Sequence, residues 1–138
     1  MRPSARLASL GLLLVSLVAF AGCSSPNRGL WKGDFDGSVA GTVEFTINTR
    51  GTSLTGKMDG KTASGEDFHA TMKGTLTGVD LVAEFEGSAT TDFRPVPFTG
   101  VMKGELRQGQ AHGTWECTIR FTQTQMNGTW RVTQEPGS

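Results

Sequence analysis

Charge and composition exclude several kinds of protein. The 138-residue chain has 13 Lys and Arg against 13 Asp and Glu, and its basic residues are scattered singly among acidic ones. Phosphate binding needs a basic patch, so nucleic acid is not an expected partner. Two cysteines give no basis for a disulfide framework, and the length suits one domain with a modest core.

The N-terminal stretch has the three parts of a secretory signal. Basic Arg2 and Arg6 precede an apolar run over 7–20, and small residues precede Cys23. The run is shorter than the about 20 apolar residues of a membrane-spanning helix. Residues 20–23, Phe-Ala-Gly-Cys, resemble the lipobox of bacterial lipoproteins, with Phe where that family usually has Leu.

The lipobox resemblance implies an address in the bacterial cell envelope. Cys23 would become the first mature residue, carrying diacylglycerol on its sulfur and a fatty acid such as palmitate on its amine. Having Ser24 directly after the cysteine, the chain resembles lipoproteins that are transported to the periplasmic side of an outer membrane, if the host has one. We therefore expect a signal peptide over 1–22, a lipid-anchored tether over 23–29 and a domain over 30–135. The alternative is an ordinary secretory signal followed by an incidental cysteine.

Past the tether, apolar and polar residues alternate with the period of β-strands. In the second such run, Val43, Phe45 and Ile47 share one parity, and polar residues occupy the other. The pattern predicts about eight strands. They lie near 30–36, 39–49, 52–59, 67–77, 80–88, 96–107, 110–122 and 128–134.

Turns are predicted between the alternating runs, wherever residues that tolerate positive φ occur. These positions are Asp36-Gly37, Arg50-Gly51, Asp59-Gly60, Gly65, Gly78, Gly109 and Asn127-Gly128. Connections this short leave no room for crossover helices, so the sheet should be an antiparallel up-and-down meander. An open meander would leave its apolar face wet and its edges unpaired, which favours closure into a small all-β barrel.

Glycines in mid-strand at inward parity support closure, because strongly coiled strands use Gly where another strand crowds in. They are Gly56, Gly74, Gly100, Gly104 and Gly113. The Gly-Thr-apolar units that begin at 41, 74, 113 and 128, with the segment 53–57, loosely resemble avidin-like and lipocalin-like eight-stranded barrels. The resemblance implies a barrel and carries over no binding residues.

Residues able to do chemistry do not form a catalytic pattern. His69 and His112 fall on the outward parity and Cys117 on the inward one, so alternation keeps them apart. Glu84 and Glu86 share an outward face with nothing apolar around them, which indicates a solvated strand face. We therefore expect no enzyme, metal or cofactor, and a protein that acts by binding.

The stretch over 88–97 is predicted to be the longest loop, and it is the only interior one that contains prolines. Its Phe93 and Arg94, fixed by Pro95 and Pro97, form an amphipathic tip that suits contact with a partner. The alternative is that Phe93 packs onto the end of its own barrel.

Two kinds of binding stay open at this point. One is a protein-binding or inhibitory module that contacts another envelope protein through its loops and outer face. The other is a carrier of a small apolar ligand inside the barrel. Large inward residues and the lack of inward polar ones favour a filled interior, and hence the first. These large residues are Trp31, Phe45, Phe68, Met72, Phe85, Phe98, Met102, Trp115 and Trp130.

Overall fold

The alternating segments form eight β-strands. The structure, a computed structural model, describes residues 28–92 and 94–137. The signal segment, Cys23 and Phe93 lie outside the described residues. The strands are β1 (Gly29–Gly37), β2 (Gly41–Arg50), β3 (Ser53–Thr62), β4 (Asp67–Thr77), β5 (Asp80–Thr91), β6 (Arg94–Arg107), β7 (Gln110–Ile119) and β8 (Thr124–Gln134).

Each strand pairs with the next in antiparallel register, and β1 also pairs with β8. The sheet is therefore a closed eight-stranded barrel, which confirms the predicted fold class. In the described part of the chain, no helix is long and apolar enough to cross a membrane.

The barrel interior holds the residues of the predicted inward parity. All nine large inward residues are buried, and the described residues include no buried polar or charged side chain. The mid-strand glycines allow close approach of neighbouring strands. A Cβ on Gly74, for example, would lie 1.9 Å from the carbonyl oxygen of Val82 on β5.

Two predicted turns are wrong, because both glycines lie inside strands. Asp59-Gly60 belongs to β3, and Asn127-Gly128 belongs to β8. At Gly128 the reason is crowding, since a Cβ there would lie 1.7 Å from the carbonyl oxygen of Asp36 and 2.8 Å from Nε1 of Trp115. Gly is thus required for close approach and not for a left-handed turn conformation.

The predicted long loop over 88–97 is also wrong. Strands β5 and β6 continue through it, with Thr91 opposite Arg94, so the turn contains two residues. Prolines are tolerated here because β6 pairs with β7 only from Phe98 onward. The carbonyl oxygen of Pro97 accepts a hydrogen bond from Arg120 N at 3.1 Å, so the backbone polar groups of Pro97 face the β7 side of the strand. The pairing of β6 with β7 does not extend to the prolines, so their missing N–H groups remove no hydrogen bond from it.

Strand β7 ends earlier than its alternation predicts. It stops at Ile119, and the chain turns over 120–123, where Gln123 has a φ of 57°. Gln123 Nε2 donates to the carbonyl oxygen of Arg120 at 2.8 Å, which fixes the turn. Phe121, which continues the inward parity of Cys117 and lay within the predicted strand over 110–122, is therefore 77% exposed.

Candidate functional site

The two ends of the barrel are built differently. At one end, the closed end, two-residue turns at 51–52, 78–79 and 108–109 join the strands, and both chain termini of the barrel emerge there. At the other, the open end, three of the four turns are longer, over 38–40, 63–66 and 120–123.

The closed end is filled and sealed. The largest fully buried side chains near it include Trp31, Leu54, Leu81 and Val132. Backbone bonds tie each turn to the strand beyond it. Leu76 N donates to Thr52 O at 2.8 Å, Leu106 N donates to Val79 O at 2.8 Å, and Gln134 N donates to Gly109 O at 2.9 Å.

The open end leads into an apolar cavity of about 240 Å³. The expectation of a filled interior therefore holds for the closed end and is wrong for the open end. Aromatic rings form much of the wall, in edge-to-face contacts such as Phe35 with Phe68, whose centroids are 5.5 Å apart. The lining includes the apolar or weakly polar Phe35, Ala89, Val96, Trp115, Cys117 and Trp130, and the polar Thr62, Glu66 and Thr91.

Two of the rings that line the cavity are indoles hydrogen-bonded to the backbone of the barrel wall. Trp115 Nε1 donates to the carbonyl oxygens of Asp36 at 3.2 Å and Thr129 at 3.1 Å. Trp130 Nε1 donates to the carbonyl oxygen of Thr114 at 3.0 Å. Since both N–H groups are satisfied by the backbone, the rings present apolar surface to the cavity.

The polar lining residues lie at the ends of strands, near the mouth. Thr62 ends β3, Thr91 ends β5, and Glu66 lies in the turn between β3 and β4. Ser64 Oγ donates to Glu66 Oε1 at 3.0 Å, and Thr62 Oγ1 lies 3.2 Å from the same oxygen. Glu66 N donates to Thr62 Oγ1 at 3.0 Å, so the turn holds the half-buried carboxylate in place.

Cys117 lines the cavity and is buried. Desolvation raises the pKa of its thiol to about 11, so the thiol stays protonated at neutral pH. His69 and His112 are exposed on the outer face, as their parity predicts. Among the described residues, no group of three His, Cys, Asp or Glu side chains is arranged to hold a metal ion.

The sequence predicted three functional residues, Cys23, Phe93 and Arg94, and of these three Arg94 is among the described residues. Arg94 is exposed at the start of β6, at the open end. Phe35, Thr62 and Glu66 were missed. Phe35 and Thr62 carried a signal, because each continues the inward parity of its strand. Glu66 carried none, since a turn residue has no parity.

Charge divides along the barrel axis. The open half, taken as residues 33–45, 58–72, 86–100 and 115–129, contains nine Asp and Glu against three Lys and Arg. The closed half, taken as 28–32, 46–57, 73–85, 101–114 and 130–135, contains eight Lys and Arg against four Asp and Glu. The cavity mouth therefore lies in the acidic half.

Comparisons with known proteins bear on the fold alone. No family model matches the sequence. A search of curated proteins finds no match either. Among solved structures, the chain is similar to a redesigned beta barrel, mFAP1, bound to DFHBI, with a TM-score of 0.54 and 15% sequence identity over 78% of this chain and 94% of that one. The β-barrel is thus an architecture that this chain shares with a solved structure.

Proposed function

We propose that this chain is a lipid-anchored lipoprotein of the bacterial cell envelope whose barrel binds a small apolar molecule in the open-end cavity. The cavity is the observation that carries the proposal. Its volume is about 240 Å³, and an engineered apolar cavity of about 150 Å³ already binds benzene. A body of one or two rings, or a medium alkyl chain, suits this space.

Two further observations support binding inside the barrel. Walls tied to the backbone at Trp115 and Trp130 need little rearrangement, which lowers the entropic cost of binding. The similar redesigned barrel is described as bound to DFHBI.

The binding test uses the mature chain, residues 23–138, with Cys23→Ser so that it is not acylated. Medium-chain alcohols, sterols and quinones are titrated while the melting temperature is followed. We expect saturable stabilisation by a small member of the panel. Ala89→Leu, which fills the cavity, should abolish it, while the outward neighbour Thr90→Leu should not. If no compound raises the melting temperature, the ligand proposal is wrong.

The anchor is tested separately in cells. A palmitate analogue that can be detected after labelling should mark the wild-type chain and leave Cys23→Ala unlabelled. The reach from Cys23 to Leu30 is at most about 25 Å, which would keep the barrel near the bilayer. Labelling that persists in Cys23→Ala would refute acylation at this residue.

A second candidate function is binding to another envelope protein at the open end. The exposed ring of Phe121 supports it, because large apolar side chains on protruding turns are frequent interface anchors. Crosslinking in the native envelope should trap a partner, and Phe121→Ser should reduce the yield. The matched control is Val82→Ser, since Val82 is 44% exposed on β5 away from this turn. Equal yields from both variants would argue against this surface.

A further inference from the structure

We propose that the cavity selects an amphiphile whose head group is cationic or donates hydrogen bonds, and that Glu66 is the residue that reads this head group. The inference rests on the proposed function and names the ligand class of the same site. It excludes anionic amphiphiles, such as fatty-acid carboxylates, as the preferred ligands.

The first argument is the geometry of Glu66. Its carboxylate lines the cavity near the mouth and is half-buried. Hydroxyls of the same turn approach Oε1, whereas Oε2 accepts no hydrogen bond from any residue that the structure describes. One oxygen therefore fixes the side chain, and the other is left to accept a bond from a ligand whose apolar body occupies the cavity.

The second argument is electrostatic. No Lys, Arg or His lines the cavity in the described structure. Within the open half, Lys61 pairs with Asp67 at 3.3 Å, and Arg94 and Arg120 are exposed. Because the described salt bridges include none to Glu66, its charge is not cancelled by a fixed partner. A head group at the mouth therefore meets a net negative field.

The third argument is the apolar character of the rest of the site. Apart from Thr62, Glu66 and Thr91, the lining is almost wholly apolar, so polar recognition is confined to the mouth. A polar head placed deeper would lose its hydration without replacement. The ligand is therefore expected to enter body first, with its head beside Glu66.

The experiment compares three ligands with the same chain and different heads, namely octylamine, octan-1-ol and octanoate, at pH 7. The mature chain with Cys23→Ser is titrated with each, and binding is followed by the fluorescence of Trp115 and Trp130, which line the cavity. We expect octylamine to bind about tenfold or more tightly than octanoate, with octan-1-ol between them.

Two variants test whether Glu66 is responsible. Glu66→Gln keeps the size of the side chain and removes its charge, so the difference between octylamine and octanoate should shrink to about twofold or less. Asp67→Asn, at the exposed neighbour paired with Lys61, should leave the order unchanged. A salt titration of the wild-type chain is independent of folding of the variants, and rising salt should weaken octylamine binding more than octan-1-ol binding.

The outcomes separate the two proposals. If octan-1-ol binds but the three heads are not distinguished, or octanoate binds most tightly, selection by Glu66 is refuted and ligand binding stands. If the order is as expected but survives unchanged in a folded Glu66→Gln variant, Glu66 is not the selecting residue. If none of the three binds, selection by Glu66 is refuted, and ligand binding is decided by the sterols and quinones of the wider panel.

Discussion

The closed half and the open half of the barrel come from the same alternation of residues, yet one is filled and the other holds a cavity. In the closed half, two-residue turns draw the strands together, and Trp31 and Leu54 are fully buried. At the open end, three of the four turns are longer, and the cavity-lining rings of Trp115 and Trp130 are hydrogen-bonded to the wall. Alternation thus decides which residues face inward, whereas turns and hydrogen bonds decide how much of the interior they fill.

The largest contrast is expected from truncating buried side chains. Leu54→Ala in the closed half should lower the free energy of unfolding by about 3 kcal/mol or more, because a tightly packed site cannot collapse around the lost atoms. Val96→Ala at the cavity should cost about 1 kcal/mol or less, since its side chain already borders empty space. Urea denaturation measures both. Similar losses would contradict the division into a filled and an unfilled half.

Adding volume should also cost more in the closed half than at the cavity. Ala111→Leu inserts atoms where the closed half has no room and should cost about 1–3 kcal/mol. Ala89→Leu grows into the cavity and should change stability by less than about 1 kcal/mol. Chemical denaturation of the two variants beside the wild type decides this. A loss at residue 89 as large as that at residue 111 would mean that the cavity cannot accept a side chain.

Alkaline pH should probe the open half through Cys117. Burial raises the pKa of this thiol from 9.0 to about 11, so above pH 9 the unfolded chain loses the proton first and stability falls until about pH 11. At pH 10 the loss should be about 1 kcal/mol. Because other groups titrate in the same range, the measurement is the difference between wild type and Cys117→Ala across pH 8–11. Parallel curves would show that the thiol is not desolvated.

The smallest effects are expected on the outer face, where the halves should not differ. Lys61 pairs with Asp67 at 3.3 Å in the open half, and Arg107 pairs with Glu105 at 3.4 Å in the closed half. Both pairs are well exposed, so Lys61→Ala and Arg107→Ala should each change stability by about 0.5 kcal/mol or less. Thermal melts are sufficient here. A large effect in one half would locate the contrast on the surface and not in the core.

The sequence predicted the strands and their inward faces, because both follow from a period of two. It wrongly placed turns at Gly60 and Gly128, where Gly allows neighbouring strands to approach closely. A glycine in the sequence does not show whether it serves a turn or a close approach. It also extended β7 through Phe121, since alternation continues past the point where the chain turns.

The candidate site was the harder part to predict. Parity gives the side of the sheet, but the cavity depends on ring orientations set by bonds to carbonyl groups on other strands, such as that from Trp130 to Thr114. Glu66 lies in a turn, where no period applies, and its position depends on Thr62 and Ser64.

The unequal charge of the two halves gives the barrel an electric dipole along its axis, with the positive pole at the closed end. Beside an anionic bilayer, such a dipole experiences a torque that turns its positive pole toward the lipid head groups. The barrel's N-terminus emerges at this same pole, so the tether proposed from Cys23 would favour the same orientation as the field of the membrane. In that orientation the barrel would stand upright on the surface, and the cavity would exchange its contents with the aqueous side.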